Sequence, residues 1–217
     1  LSQKHLRAFL EHLSQTALKI GASSVAHLPA DQIVVDERVR FKCLVPRCSN
    51  YGTNLMCPPN IFTVKEFKRI LSGYQSALLL KIESHPESAP AGIIEKDNLA
   101  EAWKTGDQAS DQDKDQGVNN YIQGLRNSQR RVYQMLGRLE SICLNNGYPL
   151  AAGLAGGGCH LCSECAGPGS ACLHPFEARP AAEGLGVDVI ATAKKQGFEA
   201  AFSNNQPPCW FAILLVD

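Results

Sequence analysis

Tyr148-Pro-Leu-Ala-Ala-Gly-Leu154-Ala-Gly156-Gly-Gly158-Cys159-His-Leu-Cys162-Ser-Glu-Cys165 is the stretch on which the reading of the chain turns. Tyr148 to Leu154 predicts a strand, the three glycines that follow would free backbone amides, and the chain then runs straight onto closely spaced cysteines. Just upstream, Ile122, Leu125, Val132, Met135, Leu136, Leu139, Ile142 and Cys143 form one apolar stripe. That spacing predicts a long helix over 119–146, stopped by Gly147. A long amphipathic helix feeding a short strand calls for a sheet with helices laid against it.

The rest of the chain agrees. Leu6, Phe9, Leu10, Leu13, Ala17 and Ile20 recur at helical spacing and predict a first helix over 3–20, closed by Gly21. Short extended pieces are expected at 33–35 and 39–44, the second leading into the first cysteines. Thr63 with Glu66 three residues on is a capping-box signature for a helix over 63–72. Residues 76–83 read as a buried strand. Asp188 caps a helix through Gln196, and Cys209 to Val216 is an apolar terminal strand. No repeat is present and no dinucleotide fingerprint follows a strand. The expected class is therefore α/β (α+β), a small mixed sheet packed with helices and carrying cysteine-rich loops, rather than a doubly wound fold.

With 217 residues and 44 % hydrophobic composition, the chain can bury one sizeable core, and one domain over 1–217 is expected. The polar run 106–117 reads as an exposed loop. Lys plus Arg and Asp plus Glu are 21 each, a net charge of zero, which offers neither nucleic acid nor an anionic membrane an electrostatic footing. No apolar run is long enough to span a bilayer, and no basic-then-apolar leader opens the chain. The expectation is a soluble, cytoplasmic protein.

Nine cysteines stand at Cys43, Cys48, Cys57, Cys143, Cys159, Cys162, Cys165, Cys172 and Cys209, and their odd number does not suit a fully paired disulfide framework. Seven of them fall in two groups, and in a reducing compartment such groups are usually metal ligands, because thiolate is the soft donor that iron–sulfur clusters and zinc prefer. Cys159, Cys162, Cys165 and Cys172 form a C-x2-C-x2-C-x6-C run. Three thiolates at two-residue gaps can wrap one face of a cubane while a fourth arrives from farther on. Bacterial ferredoxins place three residues before a last cysteine that proline follows; here the gap is six, and Pro175 comes three residues after Cys172. A structural zinc site is the alternative, although zinc more often uses two paired hooks across a longer spacer.

Cys43, Cys48 and Cys57, at gaps of four and eight, form the second group. Three thiolates leave one iron of a cubane without a cysteine. Cys209, Cys172 reaching across, a histidine, or an exchangeable water or substrate could fill the vacancy, and the last would make an enzyme. The plainer reading is a rigid turn built from cysteines and prolines. Pro58 after Cys57 matches the arrangement in which a cysteine before proline serves the other cluster of a pair.

The motifs Cys43, Cys48, Tyr51-Gly52 and Cys57-Pro58-Pro59, with Gly158-Cys159, Cys162, Cys165, Cys172, His174-Pro175, Ala178-Arg179-Pro180, Glu183 and Gly186-Val187-Asp188-Val189, resemble a family of cysteine-rich predicted metal-binding proteins of unassigned function, domain of unknown function 2284. That family is widespread in anaerobic bacteria and archaea. The resemblance spans most of the chain apart from the polar loop. It implies metal binding, with iron–sulfur the expected form, and brings no reaction with it. Cys143 and Cys209 lie outside the shared pattern, and Cys143, on the apolar stripe, reads as a small core hydrophobe.

Other polar residues carry two readings each. His160 points to solvent or a carbonyl rather than iron. His174 and Arg179 either donate hydrogen bonds toward cluster sulfurs or, for Arg179, pair with Glu177 or Glu183. Tyr51 is an aromatic lid before it is a proton donor, and His5 and His12 face solvent from the first helix. Three functions follow from the cysteine groups. The first is an electron-transfer protein or small redox subunit with two [4Fe–4S] clusters and a redox protein partner. The second is an enzyme with an open iron acting on a small-molecule substrate, and the third is a structural zinc protein.

Overall fold

The computed structural model describes residues 3–84, 116–199 and 208–217. Its centre is the pairing of two apolar strands, β2 (Ser76–Glu83) and β4 (Cys209–Val216). They run antiparallel along their whole length, Ser76 opposite Val216 and Glu83 opposite Cys209. β1 (Ser24–Pro29) pairs with the free edge of β2, and β3 (Ala152–Ala155) with the free edge of β4. The order is β1-β2-β4-β3, and every pairing is antiparallel, which narrows the mixed sheet expected.

Successive side chains of a strand face opposite ways, so the two middle strands feed two cores. Leu78, Leu80, Ala212 and Leu214 point to one face and meet Leu10 and Leu13 of α1 (Gln3–Lys19) and Leu136 and Leu139 of α4 (Gln116–Asn145). Leu79, Ile213 and Leu215 point to the other. There they meet Phe67 and Leu71 of α3 (Val64–Leu71) and Val189 and Ala193 of α5 (Val189–Lys195). Strands buried on both faces are continuous apolar runs, which is how both were read. The architecture is α+β, with helices on both sides of an antiparallel sheet.

The helices at 3–20, 63–72, 119–146 and 188–196 form within three residues of the expected limits. Three local readings are corrected. Residues 39–44 are not extended: α2 (Glu37–Phe41) occupies the start of that stretch, because Asp36 caps it by accepting the Arg38 amide at 2.8 Å, and turns follow. The strand expected from Tyr148 begins only at Ala152, since Tyr148 turns back to donate its amide to the Cys143 carbonyl at 2.9 Å. Gln116 and Gly117, assigned to the polar loop, open α4, while the remainder of that loop lies outside the described residues. Near 33–35, Val35 makes a single bridge with Val187.

The capping box of α3 is present in full. The Thr63 hydroxyl accepts the Glu66 amide at 3.3 Å, and the Glu66 carboxylate accepts the Thr63 amide at 2.8 Å. Replacing a threonine cap removes one satisfied helix donor. Thr63→Ala is expected to lower stability by about 1 kcal/mol, read as an earlier urea midpoint at unchanged slope; an unmoved midpoint would show that the cap is idle.

Candidate metal centres

The fold delivers both cysteine groups to one end of β3. After Phe41 the chain coils tightly, the Cys43 amide donating to the Arg40 carbonyl at 3.0 Å and the Cys48 amide to the Cys43 carbonyl at 3.0 Å. Arg40 pins this segment by donating from Nη1 to the carbonyls of Phe62, at 2.6 Å, and Gly184, at 2.7 Å. From the other side, β3 leaves the sheet through Gly156 and leads directly to Cys159.

The glycine run serves close approach. A Cβ on Gly158 would stand 2.4 Å from the Asn50 side-chain nitrogen, and one on Gly156 would stand 2.7 Å from the Phe211 carbonyl oxygen. Without a side chain, Gly156 passes close to the β4 backbone and Gly158 packs against the Asn50 side chain of the other cysteine segment. Of the amides expected to be free, that of Gly156 bonds Phe211 at 2.9 Å and that of Gly157 bonds the Glu183 carboxylate at 3.0 Å.

Two hollows result. Cys159, Cys162, Cys165 and Cys172 line one, closed by Leu55 and Met56 of the other motif and by His174. Cys43, Cys48 and Cys57 line the other, the first hollow in chain order, a space of about 200 Å³ shared with Tyr51, Gly157 and Glu183. Each group expected to act together is thus brought together, and all of these cysteines are free thiols. Cys143 is fully buried in the core beside α1, as its place on the stripe predicts. Cys209 lies at the start of β4 opposite Glu83 and lines neither hollow.

The hollows are laced to each other. The Leu55 amide, from the segment that carries Cys57, points at the Cys165 sulfur at 3.4 Å. Asn54, 3 % exposed, is the knot. Its side-chain nitrogen donates to the Cys159 carbonyl at 2.8 Å, its side-chain oxygen accepts the Met56 amide at 2.9 Å, and its own carbonyl accepts from Asn60 at 3.0 Å. The Ala181 amide adds a bond to the Met56 carbonyl at 2.9 Å. Behind this, Gln129 of α4 donates to the carbonyls of Gly156, at 3.2 Å, and Gly158, at 2.8 Å.

Electrostatics make metal binding an exchange for protons. Burial pushes the Cys57 thiol up to about 12, and the neighbouring Cys48 and Cys43 sulfurs add to the rise. Burial also raises Cys43, Cys159 and Cys162. Without metal these sulfurs hold their protons, so a bound metal must displace them. Burial raises the Glu183 carboxyl as well.

Glu183 and Asn54 are the site residues that motif spacing alone does not assign to the hollows. Arg179 pairs with neither Glu177 nor Glu183. Its guanidinium grips the Glu140 carboxylate of α4, and Glu140 also accepts the Gly153 amide at 2.6 Å. His174 stands 3.6 Å from the Glu177 carboxylate, and its amide points at the Cys172 sulfur at 3.4 Å. Arg47 lies over the Tyr51 ring at 5.4 Å, holding it at the mouth of the first hollow. His5 and His12 are exposed on α1. Among the described residues, no three His, Cys, Asp or Glu side chains close around a point that a single metal ion would occupy, and no helix is long and apolar enough to cross a membrane.

An antiparallel α+β scaffold that presents seven cysteines in two adjoining hollows is that of a cysteine-rich, metal-binding type of protein. The chain belongs to the family of predicted metal-binding proteins DUF2284, whose description matches residues 26–216. No curated protein and no solved structure matches it.

If Asn54 ties the two centres, Asn54→Leu should lower metal uptake at both, since it leaves the Cys159 carbonyl and the Met56 amide unpaired at about 1–3 kcal/mol each. Elemental analysis beside far-UV circular dichroism checks this. Native helix content with full loading of either site would contradict it.

Proposed function

We propose that the chain holds two [4Fe–4S] clusters, one on Cys159, Cys162, Cys165 and Cys172 and one on Cys43, Cys48 and Cys57, and works as an electron-transfer protein or small redox subunit in a reducing cytoplasm. The observation that carries the reading is the contact between the two cysteine groups, with the Leu55 amide aimed at the Cys165 sulfur at 3.4 Å and the Asn54 side chain bonded to the Cys159 carbonyl at 2.8 Å. Such clusters supply one-electron couples, and neighbouring ones pass an electron between them.

The donor set fits. All seven proposed ligands are thiols, the donor of choice for iron–sulfur iron. Zinc more often takes its cysteines in two paired hooks across a longer spacer, whereas three cysteines at two-residue gaps suit a cubane, which takes each thiolate on a separate iron. The amides of Leu55 and His174 aimed at the Cys165 and Cys172 sulfurs are the kind of contact that tunes a reduction potential upward.

Leu173, 70 % exposed, lines the second hollow, and Phe176, 89 % exposed, follows three residues on. Apolar side chains held out beside a redox centre suit a protein partner. An enzyme with an open iron in the first hollow is the second reading, and the presence of only three thiols there favours it.

Full reduction followed by electron paramagnetic resonance tests the proposal. Two neighbouring reduced clusters should give a broadened, spin-coupled signal, and Cys162→Ser, which removes a ligand from one of them, should leave a narrow signal from the other. Two signals that ignore each other, or no reducible centre, would overturn it.

A further inference from the structure

The first hollow offers three thiols for four irons, and a carboxylate stands on its wall. Glu183 opens a 3-10 turn, Glu183–Leu185, that Arg40 holds through the Gly184 carbonyl. Its Oε2 accepts the Gly157 amide at 3.0 Å, which fixes the carboxylate on the hollow shared with Cys43, Cys48 and Cys57.

Among the described residues no Lys, Arg or His forms an ion pair with Glu183; Arg179, the nearest guanidinium in sequence, is taken by Glu140. A carboxylate drawn out of water is costly unless it is paired or on a metal. It has about four lone-pair sites, and the Gly157 amide uses one. The other protein candidates for the vacancy are not on this hollow: Cys209 lines neither hollow, Cys172 lines the second, and no histidine lines the first.

We propose that Glu183 is the fourth protein ligand of the metal centre on Cys43, Cys48 and Cys57. The proposal rests on the cluster reading above and refines it, making the first centre fully protein-ligated, with one oxygen donor beside three thiolates.

The test compares wild type with Glu183→Gln and Glu183→Cys, all purified without oxygen, by iron and sulfide content and by Mössbauer spectra before and after cyanide or mild oxidation. Gln keeps an acceptor for the Gly157 amide and removes the carboxylate, so a purely structural role would survive it. The expected result is a wild type indifferent to cyanide and a Glu183→Gln protein in which one iron binds cyanide and is lost on oxidation, leaving a three-iron centre. Glu183→Cys should restore indifference, with one iron site changed in its Mössbauer parameters. A Glu183→Gln protein that responds as wild type does overturns the assignment. If Glu183→Gln fails to fold, a Glu183→Cys spectrum identical to wild type overturns it instead. Wild-type protein without sulfide sinks the cluster reading itself, whereas intact clusters with a silent Gln variant sink only the role of Glu183.

Discussion

The bond from the buried Asn54 amide to the Cys159 carbonyl joins two segments separated by 105 positions in sequence, and the arrangement of the site depends on it. Each segment alone is a loop that builds only part of a hollow. Joined, they share walls: Leu55 and Met56 close the hollow of the later cysteines, and Gly157 closes the hollow of the earlier ones. A side chain at Gly158 would displace the Asn50 side chain that packs on it, so the two loops meet closely there as well.

The sheet makes this junction possible. β3 and β4 align Ala155 with Ala212, so the chain leaves the sheet at a fixed height and the glycines emerge opposite Asn50. α4 supports it from behind through Gln129, and the Glu140–Arg179 pair ties the same helix to the segment after Cys172. Both residues of that pair are largely shielded, and breaking such a pair by removing one partner strands a charge. The long helix therefore does more than cover the sheet: it fixes the position of the loops on either side of Cys159.

Much of the fold was legible because its signals are local. The apolar runs of β2 and β4, the stripe of α4 and the Thr63–Glu66 box each lie within one element. β1 went unread: Ser24 to Pro29 is short, holds His27 and Pro29, and has only Leu28 buried, so it shows neither a run nor an alternation. The five residues of α2 carry too little periodicity to mark a helix, although Asp36 stands before them as a cap. In the site, the two cysteine groups could be read from spacing, but their contact could not. Nor could the choice of Glu140 as partner of Arg179, or the turn of Glu183 toward the first hollow, since each is decided by packing between distant parts of the chain.

The central claim is that these adjoining hollows hold iron–sulfur clusters, and the most direct measurement is iron, acid-labile sulfide and zinc per chain on protein purified without oxygen. The account predicts about eight irons and eight sulfides with a broad brown absorption. Stoichiometric zinc without sulfide would contradict it and leave a structural metal protein.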